Sequence, residues 1–322
     1  MPVYVGLRDV RYQTPGTWAV LGCRHCGHHR MCPIPSAKQL ADAYRDYYTH
    51  VVQPDATIKG RAARWRSWYE AGRHAKHPRL LHYALARVSE WLHPGGWAEL
   101  GRDVMNITCP QTGGFAIDVG SGDGTLVRSL RRLGWTAEGV ETDQHAAAVA
   151  SAAGLPVRLG TLADAGYADN VADLITMRHV IEHVEDPAEL LHEAARVLRP
   201  GGRIVIVTPN AQSLGHRWFR ESWFGLDVPR HLSLFSPRSL RMLMRGDFQH
   251  ISVRTTAQGT RGVWAQSRNI RRNGVVDARP ALQATAAQIP VQLLERSLTV
   301  VGFDIGEEIW LSAIRQETHP VS

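Results

Sequence analysis

One glycine-rich turn, set between a predicted strand and a predicted helix, limits what this chain can fold into more than any other feature. The apolar segment at 115–119 leads directly into Gly-Ser-Gly-Asp-Gly at 120–124, and a helical pattern with one leucine-rich face follows. Glycines at such a turn permit positive φ angles and let a ligand lie against bare backbone. The N–H groups at the start of the following helix then point at that ligand. The pattern predicts an α/β fold with a ligand at this turn.

A carboxylate after the next predicted strand narrows the ligand class. The strand at 136–140 is followed by Glu141, 21 positions after the first glycine of the turn. This is the distance at which a second-strand acid meets the hydroxyl groups of a nucleoside ribose. The dinucleotide fingerprint requires glycine where this chain has Thr125, and Asp118 and Asp123 add negative charge that repels a pyrophosphate but suits a sulfonium and an ammonium group. The turn therefore fits S-adenosylmethionine better than a nicotinamide dinucleotide.

From 118 to 124 the chain resembles the first motif of the class I S-adenosylmethionine-dependent methyltransferases. The segments 173–187 and 196–202 are similar to that family's fourth-strand region and to its turn before the fifth strand, so the resemblance covers roughly residues 113–248. It implies a doubly wound, Rossmann-like sheet of seven strands with the last strand antiparallel. It also implies cofactor contacts from the first motif, the second-strand acid and the loop after the third strand: Asp118, Gly120, Ser121, Gly122, Asp123, Glu141, Thr161, Leu162 and Asp164.

Two histidines follow the predicted fourth strand in the sequence His-Val-Ile-Glu-His at 179–183. Read alone, this matches an inverted zinc-protease motif, but Pro187 interrupts the long helix that such a site needs. We predict His183 as a general base for the acceptor's proton, with His179 as a second candidate, because imidazole titrates near neutral pH. Glu182 and Asp186 are close enough in sequence to orient the ring or raise its pKa. The alternative is a His183 that bonds only to neighbouring backbone.

The segment 214–234 has no clean period and is predicted to be a structured loop after the fifth strand. Loops at that edge of the sheet usually carry specificity. We predict that it forms an acceptor-binding wall, although packing alone would explain the tryptophans; the candidates are Trp218, Trp223, Arg230 and His231. The resemblance to ubiquinone-biosynthesis and sugar methyltransferases favours a small polar acceptor, with oxygen, nitrogen or carbon as the nucleophile.

The N-terminal residues contain a cysteine knuckle. Cys23 and Cys26 are spaced to grip one zinc ion, which requires four ligands, and the others would have to come from Cys32 and the histidines at 25, 28 and 29. The segment looks like the second knuckle of a zinc ribbon that many methyltransferases of this type carry, but the first knuckle is absent. Two readings stay open, a structural zinc ion or reduced thiols in a vestigial knuckle, and a disulfide is disfavoured in a cytoplasmic protein.

Length and composition divide the chain into three parts. We expect a knuckle appendage at 1–55, a helical linker or cap at 56–111 and a methyltransferase core at 112–322 with a helical insertion at about 258–303. A hydrophobic content of 44% supports a sizeable core. No apolar run reaches the ~18 residues of a membrane span, and the first 21 residues show no signal pattern, which favours the cytoplasm. The sequence leaves the oligomeric state open.

The net charge of +7 admits a rival class of function. Arginines between 61 and 73 are interleaved with aromatic residues, as in some nucleic-acid-binding surfaces. No compact nucleic-acid-binding signature accompanies them, so a solvated helix face is the preferred interpretation and nucleic acid is not the expected partner. The two rivals to methyl transfer are therefore a nicotinamide-dependent oxidoreductase and a non-catalytic nucleic-acid-binding module.

Overall fold

The computed structural model describes residues 1–44, 105, 107, 113–276 and 286–317. The strands in these residues are β1 Pro2–Leu7, β2 Trp18–Gly22, β3 His29–Cys32, β4 Phe115–Val119, β5 Thr136–Glu141, β6 Val157–Leu159, β7 Ala172–Arg178, β8 Leu198–Pro209, β9 Ser233–Leu234, β10 Phe248–Thr256 and β11 Glu308–Arg315. The helices are α1 Ala37–Tyr44, α2 Thr125–Arg132, α3 Gln144–Ala152, α4 Pro187–Val197, α5 Leu214–Phe219, α6 Pro237–Leu243, α7 Thr260–Asn273 and α8 Ile289–Val300.

Seven of the strands form the main sheet, in the order β10-β11-β8-β7-β4-β5-β6. Strands β4, β5 and β6 are parallel, with α2 and α3 between them in the chain, and β11 is antiparallel to β10. The chain moves outward from β4 through β5 and β6, and then returns to β7 on the other side of β4. In open α/β sheets, ligands bind outside the carboxyl ends of the strands at such a reversal. The predicted Rossmann-like sheet with an antiparallel last strand is confirmed.

Local sequence explains the elements around the glycine turn. In β4 the side chains of Ala116, Ile117 and Val119 are all buried, as expected for a strand covered on both faces. Helix α2 buries its leucines and leaves its last two arginines exposed. The side chain of Asp143 caps α3 by accepting a hydrogen bond of 2.9 Å from the N–H group of Ala146.

The N-terminal strands belong to a second sheet, with the antiparallel order β1-β2-β3-β9. Strand β3 pairs with β9 in the register His29 to Leu234 and Arg30 to Ser233. Trp18 and Met31 are buried in one apolar cluster with Leu234. Residues predicted as a knuckle appendage thus pair with a strand about 200 positions later in the chain.

Two other predicted segments also differ from the structure. The pattern predicts a loop at 214–234, where the structure has α5, two short 3₁₀ turns and β9. The expected helical insertion begins with α7, a 14-residue helix at Thr260–Asn273 whose bounds the sequence pattern does not give. Residues 277–285 of this insertion, and the aromatic and arginine residues of the predicted linker at 56–111, lie outside the described residues.

The chain divides into two compact units. The first contains Met1–Tyr47, Met177–Ala195 and Ile204–Gln316, and the second contains Tyr48–Thr176, Arg196–Arg203 and Glu317–Ser322. The domain boundaries expected from the sequence stay a prediction. None of the helices in the described part of the chain combines the length and the apolar composition that crossing a bilayer requires.

Candidate active site

The glycine turn after β4 is fixed to the end of β5 by its own backbone. Gly120, Gly122 and Gly124 have φ angles of 68°, 54° and 77°, which side chains rarely adopt. The N–H groups of Gly120 and Ser121 donate to the carbonyl oxygen of Val140, at 2.8 and 3.1 Å. The prediction that glycine is required at this turn therefore has a physical basis in the structure.

Glu141 closes the turn from the neighbouring strand. Its Oε2 atom accepts a hydrogen bond of 2.7 Å from the N–H group of Gly122, and its Oε1 atom accepts one of 2.9 Å from the N–H group of Asp143. The carboxylate is nearly buried, so its orientation is set before any ligand binds. Because each carboxylate oxygen can accept more than one hydrogen bond, Glu141 can still receive the hydroxyl groups of a ribose.

Ser121 supplies an observation that favours a ligand at the turn. Its Oγ atom is buried and, within the described residues, has no hydrogen-bond partner. A Cβ atom at position 139 would lie 2.4 Å from this oxygen, so the neighbouring strand β5 also needs glycine at this position. Buried polar atoms are rarely left unsatisfied, and a polar ligand would supply the partner.

Two acidic side chains give the turn its charge. Asp118 is buried at the end of β4 and accepts a hydrogen bond of 2.7 Å from the hydroxyl group of Thr176. Asp123 accepts one of 3.0 Å from the N–H group of Thr125. Carboxylates here suit a cationic ligand, so the residues at the turn fit S-adenosylmethionine.

The predicted adenine loop after β6 is closed by its own side chains. Both the N–H and the hydroxyl group of Thr161 donate to Asp164 Oδ2, at 2.9 and 2.7 Å. These bonds hold the pKa of the exposed Asp164 carboxyl below its usual value. Leu162 is fully buried, so its side chain packs into the interior. Adenine recognition by this loop stays a prediction.

His179 is held as a fixed positive charge. Burial opposes its protonation, but hydrogen bonds and charge from Glu182 and Glu308 outweigh that effect and raise its pKa to about 9. The Nδ1 atom lies 3.1 Å from Glu182 Oε1, and Nε2 lies 3.5 Å from Glu308 Oε1. Its φ angle of 54° is also unusual for a residue other than glycine. A protonated ring with both nitrogens engaged does not accept a proton, which argues against His179 as a base.

Glu182 is a site residue that the sequence reading treats only as a neighbour of His183. It is completely buried, and its second oxygen accepts a hydrogen bond of 2.9 Å from the hydroxyl group of Thr208. Burial alone would raise the pKa of this carboxyl. The hydrogen bond and the charge of His179 outweigh that effect and lower the pKa to about 2. A buried negative charge therefore lies beside His183.

His183 has a lowered pKa, contrary to the expectation that its acidic neighbours raise it. Burial and the nearby His231 bring the pKa of His183 down to about 4, against the weaker opposing influence of Glu182, Asp227 and the hydrogen bond that the ring donates to the carbonyl oxygen of Arg230. The Nδ1 atom lies 3.0 Å from the carbonyl oxygen of Arg230 and 2.8 Å from the hydroxyl oxygen of Tyr44. The ring is therefore neutral at neutral pH and able to accept a proton.

Asp186 does not orient the ring of His183. Its Oδ1 atom accepts hydrogen bonds from the N–H groups of Ala188 and Glu189, at 2.9 and 3.0 Å, at the first turn of α4. Aspartate is well suited to this position because it satisfies N–H groups that the helix itself leaves unpaired.

Arg230 forms buried ion pairs with two aspartates. Its side chain is completely buried and bonds both oxygens of Asp9 at 3.0 Å and Asp227 Oδ1 at 2.8 Å. With its charge matched by two carboxylates, Arg230 does not offer a cation to an anionic substrate, contrary to its predicted role in the acceptor wall.

His231 is the member of that predicted wall that lies beside His183. The two rings meet edge to face with centroids 4.7 Å apart. The Nδ1 atom of His231 lies 2.8 Å from the carbonyl oxygen of Gly225, which requires a hydrogen on that nitrogen. Its contact with an acceptor stays a prediction.

The two tryptophans of the predicted wall differ in position. Trp223 is buried, stacks on His216 with centroids 4.5 Å apart and donates from Nε1 to Glu307 at 3.0 Å, so it belongs to the core. Trp218 is 62% exposed and stacks on Trp264, which keeps it available as a surface contact.

Within the described ranges, one group of three residues is close enough to hold a metal ion. Glu182, His183 and His231 each offer a ligand atom, and these atoms lie within 4.8 Å of one another. The cysteines at 23, 26 and 32 form no such group there and are free thiols. The N–H groups of Cys26 and His25 lower the pKa of the Cys23 thiol, as a knuckle turn does. Zinc at the knuckle stays a prediction.

Comparison with known proteins gives one consistent result. A family model described as a methyltransferase domain matches residues 107–247. The chain is 32% identical over 171 residues to the ubiquinone biosynthesis O-methyltransferase of Parvibaculum lavamentivorans, covering 50% of this chain and 63% of that protein. It is 32% identical over 114 residues to the enzyme of the same name from Albidiferax ferrireducens, covering 33% and 45%. The chain thus spans about half the length of the curated relatives it matches.

The chain is also similar to solved structures of methyltransferases. The Haemonchus contortus phosphoethanolamine N-methyltransferase 2 in complex with S-adenosyl-L-methionine is 17% identical, with a TM-score of 0.48. The match covers 79% of this chain and 60% of that chain.

Proposed function

Since residues 107–247 are a methyltransferase domain of the class I S-adenosylmethionine-dependent family, we propose that the protein transfers a methyl group from S-adenosylmethionine to a small polar acceptor. The observation that carries the proposal is the glycine turn at 120–124, bonded to the carboxylate of Glu141 and containing the unpartnered Oγ atom of Ser121. When bound, the cofactor would supply a methyl group on a positively charged sulfonium. Glu141 would receive the ribose hydroxyl groups, and Asp118 and Asp123 would balance the cation.

His183 is the proposed proton acceptor. Its neutral ring has the Nε2 lone pair available, because Nδ1 faces the carbonyl oxygen of Arg230. As the acceptor's oxygen attacks, its proton passes to Nε2, and the positive charge formed on the ring is stabilised by the carboxylates of Glu182 and Asp227. The same nitrogen can receive a proton from a nitrogen or an acidic carbon. The other requirements are alignment of the reactants and exclusion of water.

The names of the curated relatives support an oxygen nucleophile. Both proteins described above are O-methyltransferases of ubiquinone biosynthesis, which points to a hydroxyl group on a small molecule. We take a hydroxyl-bearing small molecule as the first acceptor class to test. Trp218 and His231 are the proposed contacts for it, in view of the exposed ring of Trp218 and the nearness of His231 to His183.

Cofactor binding tests the proposal directly. Titration calorimetry should give low-micromolar affinity for S-adenosylmethionine and its demethylated product, on the order of −8 kcal/mol. Incubation with methyl-labelled cofactor and a set of phenolic and sugar hydroxyl compounds should transfer label to a small molecule. Tighter binding of a nicotinamide dinucleotide would favour the oxidoreductase alternative instead. Strong, salt-dependent binding to random oligonucleotides without methyl transfer would favour the nucleic-acid-binding module.

A further inference from the structure

We infer that Tyr44 is a positioning residue for His183: its hydroxyl group, together with the carbonyl group of Arg230, holds the ring with a hydrogen on Nδ1 and the lone pair on Nε2. The inference rests on the proposed role of His183 as proton acceptor. It assigns part of the reaction's apparatus to the N-terminal residues, which the sequence alone marks only as a knuckle appendage.

The two oxygens beside Nδ1 determine where the hydrogen lies. The carbonyl oxygen of Arg230, at 3.0 Å, can only accept a hydrogen bond, whereas the hydroxyl oxygen of Tyr44, at 2.8 Å, can accept or donate. A bare Nδ1 would direct its lone pair at the carbonyl oxygen, so this nitrogen carries the hydrogen and shares it with both. The lone pair of the neutral ring is therefore on Nε2.

The position of Tyr44 is fixed by the helix that it ends. Helix α1 begins after Ser36, whose N–H and hydroxyl groups both donate to Gln39 Oε1 at 3.0 Å. At the other end Ala43 is fully buried, and its carbonyl oxygen lies 3.4 Å from Arg230 Nη1. The end of α1 is thus bonded to the same arginine whose carbonyl group faces His183.

Arg230 is itself held by a second N-terminal residue. Asp9 is 2% exposed and accepts from both terminal nitrogens of the guanidinium group. Asp9 is oriented in turn by the N–H groups of Arg11, Tyr12 and Thr14, at 2.9, 3.2 and 3.3 Å. Both oxygens at Nδ1 of His183 therefore depend on the first 44 residues.

Replacement of Tyr44 by phenylalanine tests the inference with a matched control. Tyr44→Phe removes one hydroxyl group and keeps the ring that packs against His183. Tyr4→Phe removes a different tyrosine–histidine hydrogen bond in the same segment, because the hydroxyl group of Tyr4 is 3.0 Å from Nε2 of His216. NMR of full-length protein carrying isotope-labelled histidine reports which imidazole nitrogen bears the hydrogen, and a His183→Gln variant assigns the signals.

We expect wild-type His183 to show the Nδ1–H tautomer. Tyr44→Phe removes the shorter of the two hydrogen bonds at Nδ1 but keeps the carbonyl oxygen of Arg230, so the Nδ1–H tautomer should remain the major form, beside a detectable fraction of the Nε2–H tautomer. Turnover should fall about five- to tenfold, the equivalent of one neutral hydrogen bond, with unchanged affinity for S-adenosylmethionine. Tyr4→Phe should change the signals of His216 and leave those of His183 and turnover unaltered.

Two results would overturn the inference. One is a wild-type spectrum in which His183 carries its hydrogen on Nε2, which needs no variant to fold. The other is a Tyr44→Phe protein with wild-type tautomer and turnover. If Tyr44→Phe mixes the tautomers while His183→Gln leaves turnover unaltered, the positioning by Tyr44 is supported and the proposed base is wrong.

Discussion

Two histidines four positions apart, His179 and His183, have opposite protonation states for a reason that lies in their partners. His179 lies between two carboxylates and has a pKa raised to about 9, whereas the pKa of His183 is lowered to about 4 by burial and by His231. The buried Glu182 is shared by both, since it pairs with His179 and adds negative charge near His183. A fixed cation and a neutral proton acceptor therefore lie within one five-residue segment, because distant residues, Glu308 and His231, give the two rings different surroundings.

Loss of His183 should affect turnover far more than cofactor binding. His183→Gln should lower turnover by about 10²–10⁴-fold, the usual contribution of a general base, with unchanged cofactor affinity. His192→Gln, on the exposed surface of α4, is the control. A His183→Gln protein that keeps turnover within threefold of wild type on its true acceptor would leave catalysis to alignment alone.

The dependence of the reaction rate on pH should also report the protonation of His183. Protonation of His183 blocks Nε2, so the wild-type rate should fall as pH drops through about 4 and be level between pH 6 and 8. The charged and titratable groups near the ring are His231, Glu182, Asp227 and Tyr44. Single-turnover rates, measured before the protein unfolds, check this, and an acid limb near 6.5 would contradict it.

Glu141 should matter for the cofactor and not for the acceptor. Glu141→Ala should weaken S-adenosylmethionine and its product equally, by about 1.5–3 kcal/mol for hydrogen bonds to a charged group. Glu138→Ala is a matched control on the same strand, because Glu138 bonds Arg158 and Tyr167 instead. Calorimetry that finds unchanged affinity in Glu141→Ala would remove this residue from the cofactor site.

At the scale of elements, Glu307 joins three segments that the sequence shows as separate. It accepts hydrogen bonds from the N–H group of Gly215 in α5, from Nε1 of Trp223 and from Nε1 of Trp264 in α7, at 2.9, 3.0 and 2.9 Å. Burial raises the pKa of Glu307 to about 7, against these donors, which lower it. The carboxylate works here as a hub, since it offers acceptors to donors that would otherwise be buried and unpaired.

Glu307→Gln should therefore destabilise the protein despite its nearly equal size. The amide's NH₂ group would face an indole N–H, leaving at least one buried donor unpaired at a cost of about 1–3 kcal/mol. Urea unfolding followed by tryptophan fluorescence measures the change. The exposed Glu221→Gln provides the comparison and should match wild type; equal stability of the two variants would show that the hub is dispensable.

The limit of sequence reading is visible in these elements. The glycine turn and Glu141 could be predicted because their partners lie within about 20 positions and follow a known strand-turn-helix pattern. Tyr44 and His183 are 139 positions apart, and Asp9 and Arg230 are 221 apart. No local period encodes such pairs, which is why Arg230 reads as a substrate contact in the sequence and as a buried ion pair in the structure.

At the scale of the whole molecule, three wholly or partly buried histidines contribute to the response to acid. Burial lowers the pKa of His28, His183 and His216 to about 4 each, from an ordinary 6.5. Between these values the unfolded chain binds protons that the folded protein does not, so this contribution to the free energy of unfolding falls as pH decreases from 6.5 to 4. Glu307 acts in the opposite direction, because its raised pKa costs stability as pH increases towards 7.

The contribution of His216 can be found by comparing the pH dependence of stability of wild type with that of a variant. His216→Gln should lose less stability than wild type between pH 6.5 and 4, because one proton-linked step is removed. Urea unfolding at several pH values gives the slopes for both proteins. His145→Gln, a variant of an exposed histidine on α3, is measured beside it for comparison. Parallel curves for His216→Gln and wild type would exclude His216 as a source of the acid sensitivity.

The pairing of β3 with β9 also governs how the chain matures on the ribosome. Strand β3 ends at Cys32, but its partner begins at Ser233, about 200 residues later. At synthesis rates of ~5–20 residues per second, the nascent N-terminal strands wait on the order of 10–40 s with one edge unpaired. Trp18 and Met31 likewise lack the later members of their apolar cluster, such as Leu234 and Trp264, until those residues are synthesised. The sheet formed by residues 1–32 is therefore completed only after Ser233 and Leu234 have been synthesised. Chaperones that shield exposed strand edges would act on residues 1–32.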